Sequence, residues 1–95
     1  MFGGFGIYRD DVMFALVADD VLYLKADAES MREFESRGLG RFAYDKGGTV
    51  VTMSFYEAPV EIYDDPDDAG LWARRAFGAA LRAKSRNRRA RSGKR

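Results

Sequence analysis

No cysteine and no histidine occur in these 95 residues. Without Cys there can be no disulfide, thiol nucleophile or thiolate metal site, and nothing in the chain calls for an oxidising compartment. Without His, the commonest general base near neutral pH and the commonest zinc ligand are missing, and a Ser-His-Asp hydrolase is excluded. Long apolar runs are also lacking: none approaches the roughly 20 residues that span a bilayer. The N-terminus, Met1-Phe2-Gly3-Gly4, has no basic flank of the kind that opens a signal peptide. The reading from these absences is a soluble, cytoplasmic, non-enzymatic chain. Its length suits one small domain.

What is present is an uneven distribution of charge. Through residue 81 the chain carries eight Lys or Arg against fifteen Asp or Glu, a net of −7. From there on come Arg82, Lys84, Arg86, Arg88, Arg89, Arg91, Lys94 and Arg95 with no acid, a net of +8. The overall charge of +1 averages two opposite objects. Residues 85–95 hold no large apolar side chain and are expected to form a disordered basic tail behind a folded unit over 1–84.

The first third reads as a β-meander: 5–9, 12–17 and 21–25 are rich in β-branched and aromatic residues, with Asp10-Asp11 and Asp19-Asp20 between them. Asp is tolerated at φ > 0 but less suited to it than Gly, so each pair makes either a mildly strained tight turn or part of a longer loop. The second strand is apolar at successive positions, which asks for cover on both faces. A helix follows over about 28–37, with Asp27 as N-cap, Glu29 in the first turn and Met31 and Phe34 as an apolar pair. Gly38-Leu39 suits a Schellman ending, with Leu39 folding back on Phe34. Strands over 41–44 and 50–56 flank a turn at 45–48; Val51, Met53 and Phe55 fall on a buried face, and Thr52, Ser54 and Tyr56 on a wetter one. After Pro59 a connector leads to the last helix, capped by Asp64 or Asp65, with Pro66 in its first turn. Ala69, Trp72, Ala73, Ala76, Phe77 and Ala80 line its inner side. The fold class is α+β: two layers, a five-stranded mainly antiparallel sheet, element order β3-α-β2-α.

Several short motifs then agree at consistent spacing. Met1-Phe2-Gly3-Gly4-Phe5-Gly6-Ile7-Tyr8, Val12 to Asp19, Leu22-Tyr23-Leu24-Lys25 and Trp72-Ala73-Arg74-Arg75-Ala76 resemble the TfoX/Sxy N-terminal domain family over about residues 1–81. The resemblance implies a two-layer α-β3-α-β2-α fold, similar to the YgaC and secretion-chaperone-like folds. It also implies kinship with regulators of bacterial natural competence, in which a second domain follows this one. The family's first helix precedes the Met-Phe-Gly-Gly motif, whereas this sequence begins at the motif, so either the given start is internal to a longer reading frame or the chain lacks that helix.

Gly3, Gly4 and Gly6 lack the preceding strand, following helix and Lys of a phosphate loop, and fit close backbone approach at a sheet edge. Together with Trp72 they are the structural motif residues. Asp64, Asp65, Asp67 and Asp68 lack the spacing of a calcium loop and suit a helix N-terminus. No catalytic, cofactor-binding or metal-ligating residue is assigned, and no cofactor is expected. The eight basic residues from Arg82 to Arg95 are the nucleic-acid candidates. The leading expectation is a binding or regulatory module whose sheet face meets a protein partner or a second copy, with nucleic acid at the tail and no membrane contact. The alternative is a small-molecule-binding domain or small enzyme built on carboxylates with Arg9, Arg41, Arg74 or Arg75 around a pocket.

Overall fold

The computed structural model describes the backbone of residues 4–92 and the side chains of residues 4–85. Three strands come first, β1 (Gly4–Arg9), β2 (Val12–Ala18) and β3 (Val21–Lys25), then helix α1 (Ala28–Ser36). Strands β4 (Arg41–Lys46) and β5 (Thr49–Glu57), a short 3₁₀ turn at Val60–Tyr63 and helix α2 (Pro66–Ser92) complete the order. The five strands form one antiparallel sheet in the order β1-β2-β3-β5-β4. This is the expected α+β fold.

Both acidic pairs form tight two-residue turns. Asp10, Asp11, Asp19 and Asp20 take φ of 51°, 64°, 52° and 65°, left-handed at both central positions as a hairpin with right-handed strand twist requires. Each turn therefore holds two Asp where a Gly would sit without steric cost. Replacing Asp11 or Asp20 by Gly is expected to raise stability by up to about 1 kcal/mol each; a fall in melting temperature in both variants would show that the Asp side chains are themselves stabilising the turns.

Local signals at α1 are met in full. Asp27 caps the helix through the backbone N–H of Ser30, and the Ser30 hydroxyl accepts from the Asp27 N–H, closing a capping box. Gly38, at φ 72°, donates to the Glu35 carbonyl and Leu39 to that of Phe34, the paired bonds of a Schellman motif. At α2, Asp65 rather than Asp64 is the capping residue: its carboxylate accepts from the Asp67 N–H.

The consecutive apolar residues of β2 have a geometric cause. The register against β1 slips between Ile7 and Tyr8, which pair with Ala15 and Met13, so Phe14 is an inserted residue. A bulge of this kind reverses the alternation of side chains beyond it. Phe14 and Ala15 thus both join the core under the helices, with Leu24, Phe34, Tyr56, Trp72 and Ala76. Met13, Leu16 and Ala18 belong to a second cluster, with Tyr23, Phe42, Tyr44, Met53 and Phe55. That second cluster is drawn wholly from strands. Its aromatic side chains lie across the sheet, Tyr23 against Phe42 at 4.9 Å and Phe42 against Tyr44 at 6.0 Å, and Leu16 beneath them is 0 % exposed. The face away from the helices is therefore largely covered by its own side chains.

One expectation is corrected. Tyr56 was placed on a wet face, yet it is 1 % exposed, because α1 docks there and stacks Phe34 on its ring at 5.3 Å. The helical backbone of α2 runs to Ser92. No Gly or Pro interrupts residues 79–92, and Ala, Arg and Lys are good helix formers. Once the packed part of α2 has met the cost of nucleation, each further residue adds to the helix without needing burial. Gly3, Lys94 and Arg95 lie outside the described residues.

Candidate functional site

The richest polar constellation surrounds Trp72. This side chain is 4 % exposed and meets the Phe34 ring at 5.4 Å. The guanidinium groups of Arg75 and Arg37 lie 4.5 and 5.2 Å from its centre. Arg75 bonds to Glu33, and Arg37 reaches Glu61 at 2.6 Å and Glu33 at 3.7 Å. The result is a chain of alternating charge, Arg75, Glu33, Arg37, Glu61, wrapped around one indole. Its members are roughly two-fifths exposed, so solvent screens each ion pair, and the main product is a fixed orientation of α1 against α2 and the 3₁₀ turn.

Beside it, Asp27, Glu29, Ser30, Arg74, Arg75, Gly78 and Arg82 line an open groove of about 390 Å³ between the start of α1 and α2. Arginine and carboxylate meet here, as the small-molecule alternative requires. The carboxylate is already engaged, however: Asp27 accepts from the Ser30 N–H and hydroxyl at 3.0 Å each and from Arg82 at 2.6 Å. Burial alone would raise its pKa, but the Ser30 N–H and Arg82 outweigh that and hold it down at about 2. Arg75 likewise lowers Glu33, and Arg37 lowers Glu61. Groups held ionised in this way serve as fixed charges and are poor proton carriers near neutral pH.

Because the folded pKa of Asp27 lies below its unfolded value of 3.8, its contribution is present above about pH 4 and is lost as pH falls toward 2. With allowance for the exposure of Arg82, that contribution is about 1–2 kcal/mol. Asp27→Asn should flatten the loss of stability between pH 4 and pH 2 by this amount in chemical denaturation; parallel profiles for the two proteins would contradict the assignment.

The four arginines of the pocket alternative are not brought together. Arg74 and Arg75 line the groove, whereas Arg9 lies over the Phe77 ring at 5.2 Å and Arg41 over Tyr56 at 5.8 Å. Of the nucleic-acid candidates, Arg82 pairs with Asp27 and Lys84 is exposed. Arg86, Arg88, Arg89 and Arg91 lie on the helical backbone of α2. At Gly4 an added Cβ would collide with the Val17 carbonyl oxygen, and at Gly6 it would lie 2.5 Å from Met13 Sδ. These glycines allow β2 and its side chains to approach the edge strand.

One pair escaped the sequence. Lys25 donates to Ser54 Oγ at 2.7 Å and lies 5.2 Å from the Phe55 ring, and its pKa is lowered by burial and then by Arg41. Serine and lysine in contact can form a nucleophile and its base. Here the ammonium rests against an aromatic face, which favours the charged form. A cavity of about 10 Å³ next to Lys25, between Phe34, Trp72 and Arg75, has room for no more than a water.

Among the described residues, no helix is long and apolar enough to cross a membrane, and no cluster of three or more acidic groups is placed to hold a metal ion. The domain thus has one helix-covered sheet face, one sheet face covered by its own aromatic side chains, and a chain of surface ion pairs. The sequence comparison gives it a family: the TfoX N-terminal domain matches residues 1–80, and the chain belongs to that family. It is 39 % identical over 57 residues to DNA transformation protein TfoX1 of Aliivibrio fischeri, a match covering 60 % of this chain and 27 % of the relative. To Protein Sxy of Escherichia coli it is 30 % identical over 85 residues, covering 90 % of this chain and 41 % of the relative. The chain thus spans less than half the length of either relative.

Proposed function

We propose that this chain is a non-enzymatic, cytoplasmic regulatory module that works by binding, with its helix-free sheet face meeting protein and its basic C-terminal segment meeting nucleic acid. The observation that carries the reading is the second apolar cluster. Leu16, Ala18, Phe42 and Phe55 are buried in the monomer, while Met13, Tyr23, Tyr44 and Met53 around them stay half-exposed and Tyr8 beside them is 63 % exposed. Methionine and tyrosine are adaptable anchors for a protein contact. Because the deepest side chains are already sealed, such a contact is reversible and the monomer is stable without it.

A second copy is the simplest occupant. Light scattering between about 5 and 200 µM should show the mean mass rising toward that of a dimer, and Tyr8→Asp should suppress the rise. A monomer mass throughout that range removes self-association. Kinship with a protein named for DNA transformation supports a role in DNA uptake or its regulation. The engaged carboxylates around the groove support binding over catalysis.

A further inference from the structure

The sheet ends on two edges of different character. β4 carries Arg41, Asp45 and Lys46, charges of the kind that keep another strand from pairing. β1, the other edge, reads Gly4-Phe5-Gly6-Ile7-Tyr8 before its first charge at Arg9. Phe5 and Tyr8 are 61 % and 63 % exposed. Helix α2 packs chiefly on β2 and β3 and reaches β1 at Arg9, which lies over Phe77. The bulge does not break this edge, because the inserted Phe14 belongs to β2.

Turn geometry determines which backbone groups of β1 are free. With both central residues left-handed, each Asp pair closes a two-residue hairpin whose flanking residues exchange hydrogen bonds, Arg9 with Val12 and Ala18 with Val21. Ala18 thus directs its N–H and C=O toward β3, and by alternation Val17 and Ala15 direct theirs toward Phe5 and Ile7. Both turns give the same result. Phe5, Ile7 and Arg9 face β2, while the N–H and C=O groups of Gly4, Gly6 and Tyr8 point away from the sheet.

We propose that two copies of this chain join edge to edge through β1, antiparallel about a two-fold axis at Gly6, and so form one continuous sheet. This rests on the self-association proposed above and moves its contact from the helix-free face to the sheet edge. With the axis at Gly6, Gly4 lies opposite Tyr8 of the partner subunit, and every free group is used: three facing pairs, roughly six N–H···O=C bonds. An axis at Phe5 or Ile7 leaves one of the three residues without a partner in β1. Phe5 then packs against Ile7 of the partner subunit, and the glycines place no side chain in the way. The two Arg9 side chains stand about 20 Å apart, so no like charges meet across the seam. A seam of one strand pair buries less than the roughly 1,200 Å² of a standard interface, which makes the dimer weak and reversible. The axis runs perpendicular to the sheet, so both helix-free faces point the same way. The apolar platform is doubled and stays open.

Amide hydrogen exchange of the full chain, followed by NMR at about 20 µM and about 1 mM, reads the free groups directly. The N–H groups of Gly4, Gly6 and Tyr8 should exchange about fivefold more slowly at the higher concentration, while those of Phe5, Ile7 and Arg9, already bonded to β2, should change little. Phe5 shares a face with Ile7, which packs in the core under the helices, so Phe5→Lys puts a charge on the seam without touching the helix-free face. It should abolish the rise in mass seen by light scattering and leave the melting temperature of the dilute monomer unchanged. A rise that survives Phe5→Lys, or a slowing that spares Gly4, Gly6 and Tyr8, overturns the edge pairing and leaves the face contact as the route to self-association. A monomer at every concentration overturns both.

Discussion

Replacing Trp72 by Ala is expected to cost about 3–5 kcal/mol, the usual effect of removing a buried aromatic side chain. For a folded unit of this size the whole stability is about 4–12 kcal/mol, so one substitution removes a large part of it. Trp72 joins α2 to Phe34 of α1 and has the guanidinium groups of Arg37 and Arg75 against its ring. Its loss leaves a cavity beneath an ion-pair chain that has no other support at its centre. In thermal unfolding followed by far-ultraviolet circular dichroism, the midpoint should fall by on the order of 20 °C. Trp72→Phe should recover more than half of the loss by refilling most of the volume. An unchanged midpoint in the Ala variant would remove Trp72 from the core.

Leu16→Ala probes the opposite face and is expected to cost about 2–5 kcal/mol. Leu16 is 0 % exposed with no helix above it, so its burial comes from Phe42, Phe55 and the aromatic side chains lying across the sheet. The effect should be the same at low and high protein concentration, because the monomer itself encloses the side chain. A cost that appears only at concentrations where the chain self-associates would mean that a second copy supplies the enclosure. Trp72→Ala and Leu16→Ala lie in separate clusters and their effects should add within about 0.5 kcal/mol.

These two faces differ in how much of them the sequence disclosed. The caps of α1 were legible because every partner lies within a few residues: Asp27 with Ser30, Gly38 with Glu35, Leu39 with Phe34. The Asp pairs were legible as turns because few other residues accept left-handed geometry. The inserted Phe14 was not legible, since a bulge changes which face a side chain joins without changing composition. Tyr56 was misplaced for a related reason: period-two alternation marks two faces but does not say which of them a helix will cover. The Trp72 constellation was out of reach because its ion pairs join residues 24 and 42 apart in the chain.

The charge along α2 carries a consequence of its own. Asp65, Asp67 and Asp68 stand at its start and six Lys or Arg follow Leu81 before its end, a centre-to-centre separation of about 30 Å along the helix. The chain is thus a long-armed electric dipole whose near-zero net charge conceals a strong field at each end. Any highly charged surface exerts a torque on such an object before contact, turning the cationic end toward anions and the acidic end away. Encounters are therefore pre-oriented, and raising ionic strength slows them by erasing that alignment, even though the molecule as a whole is almost neutral.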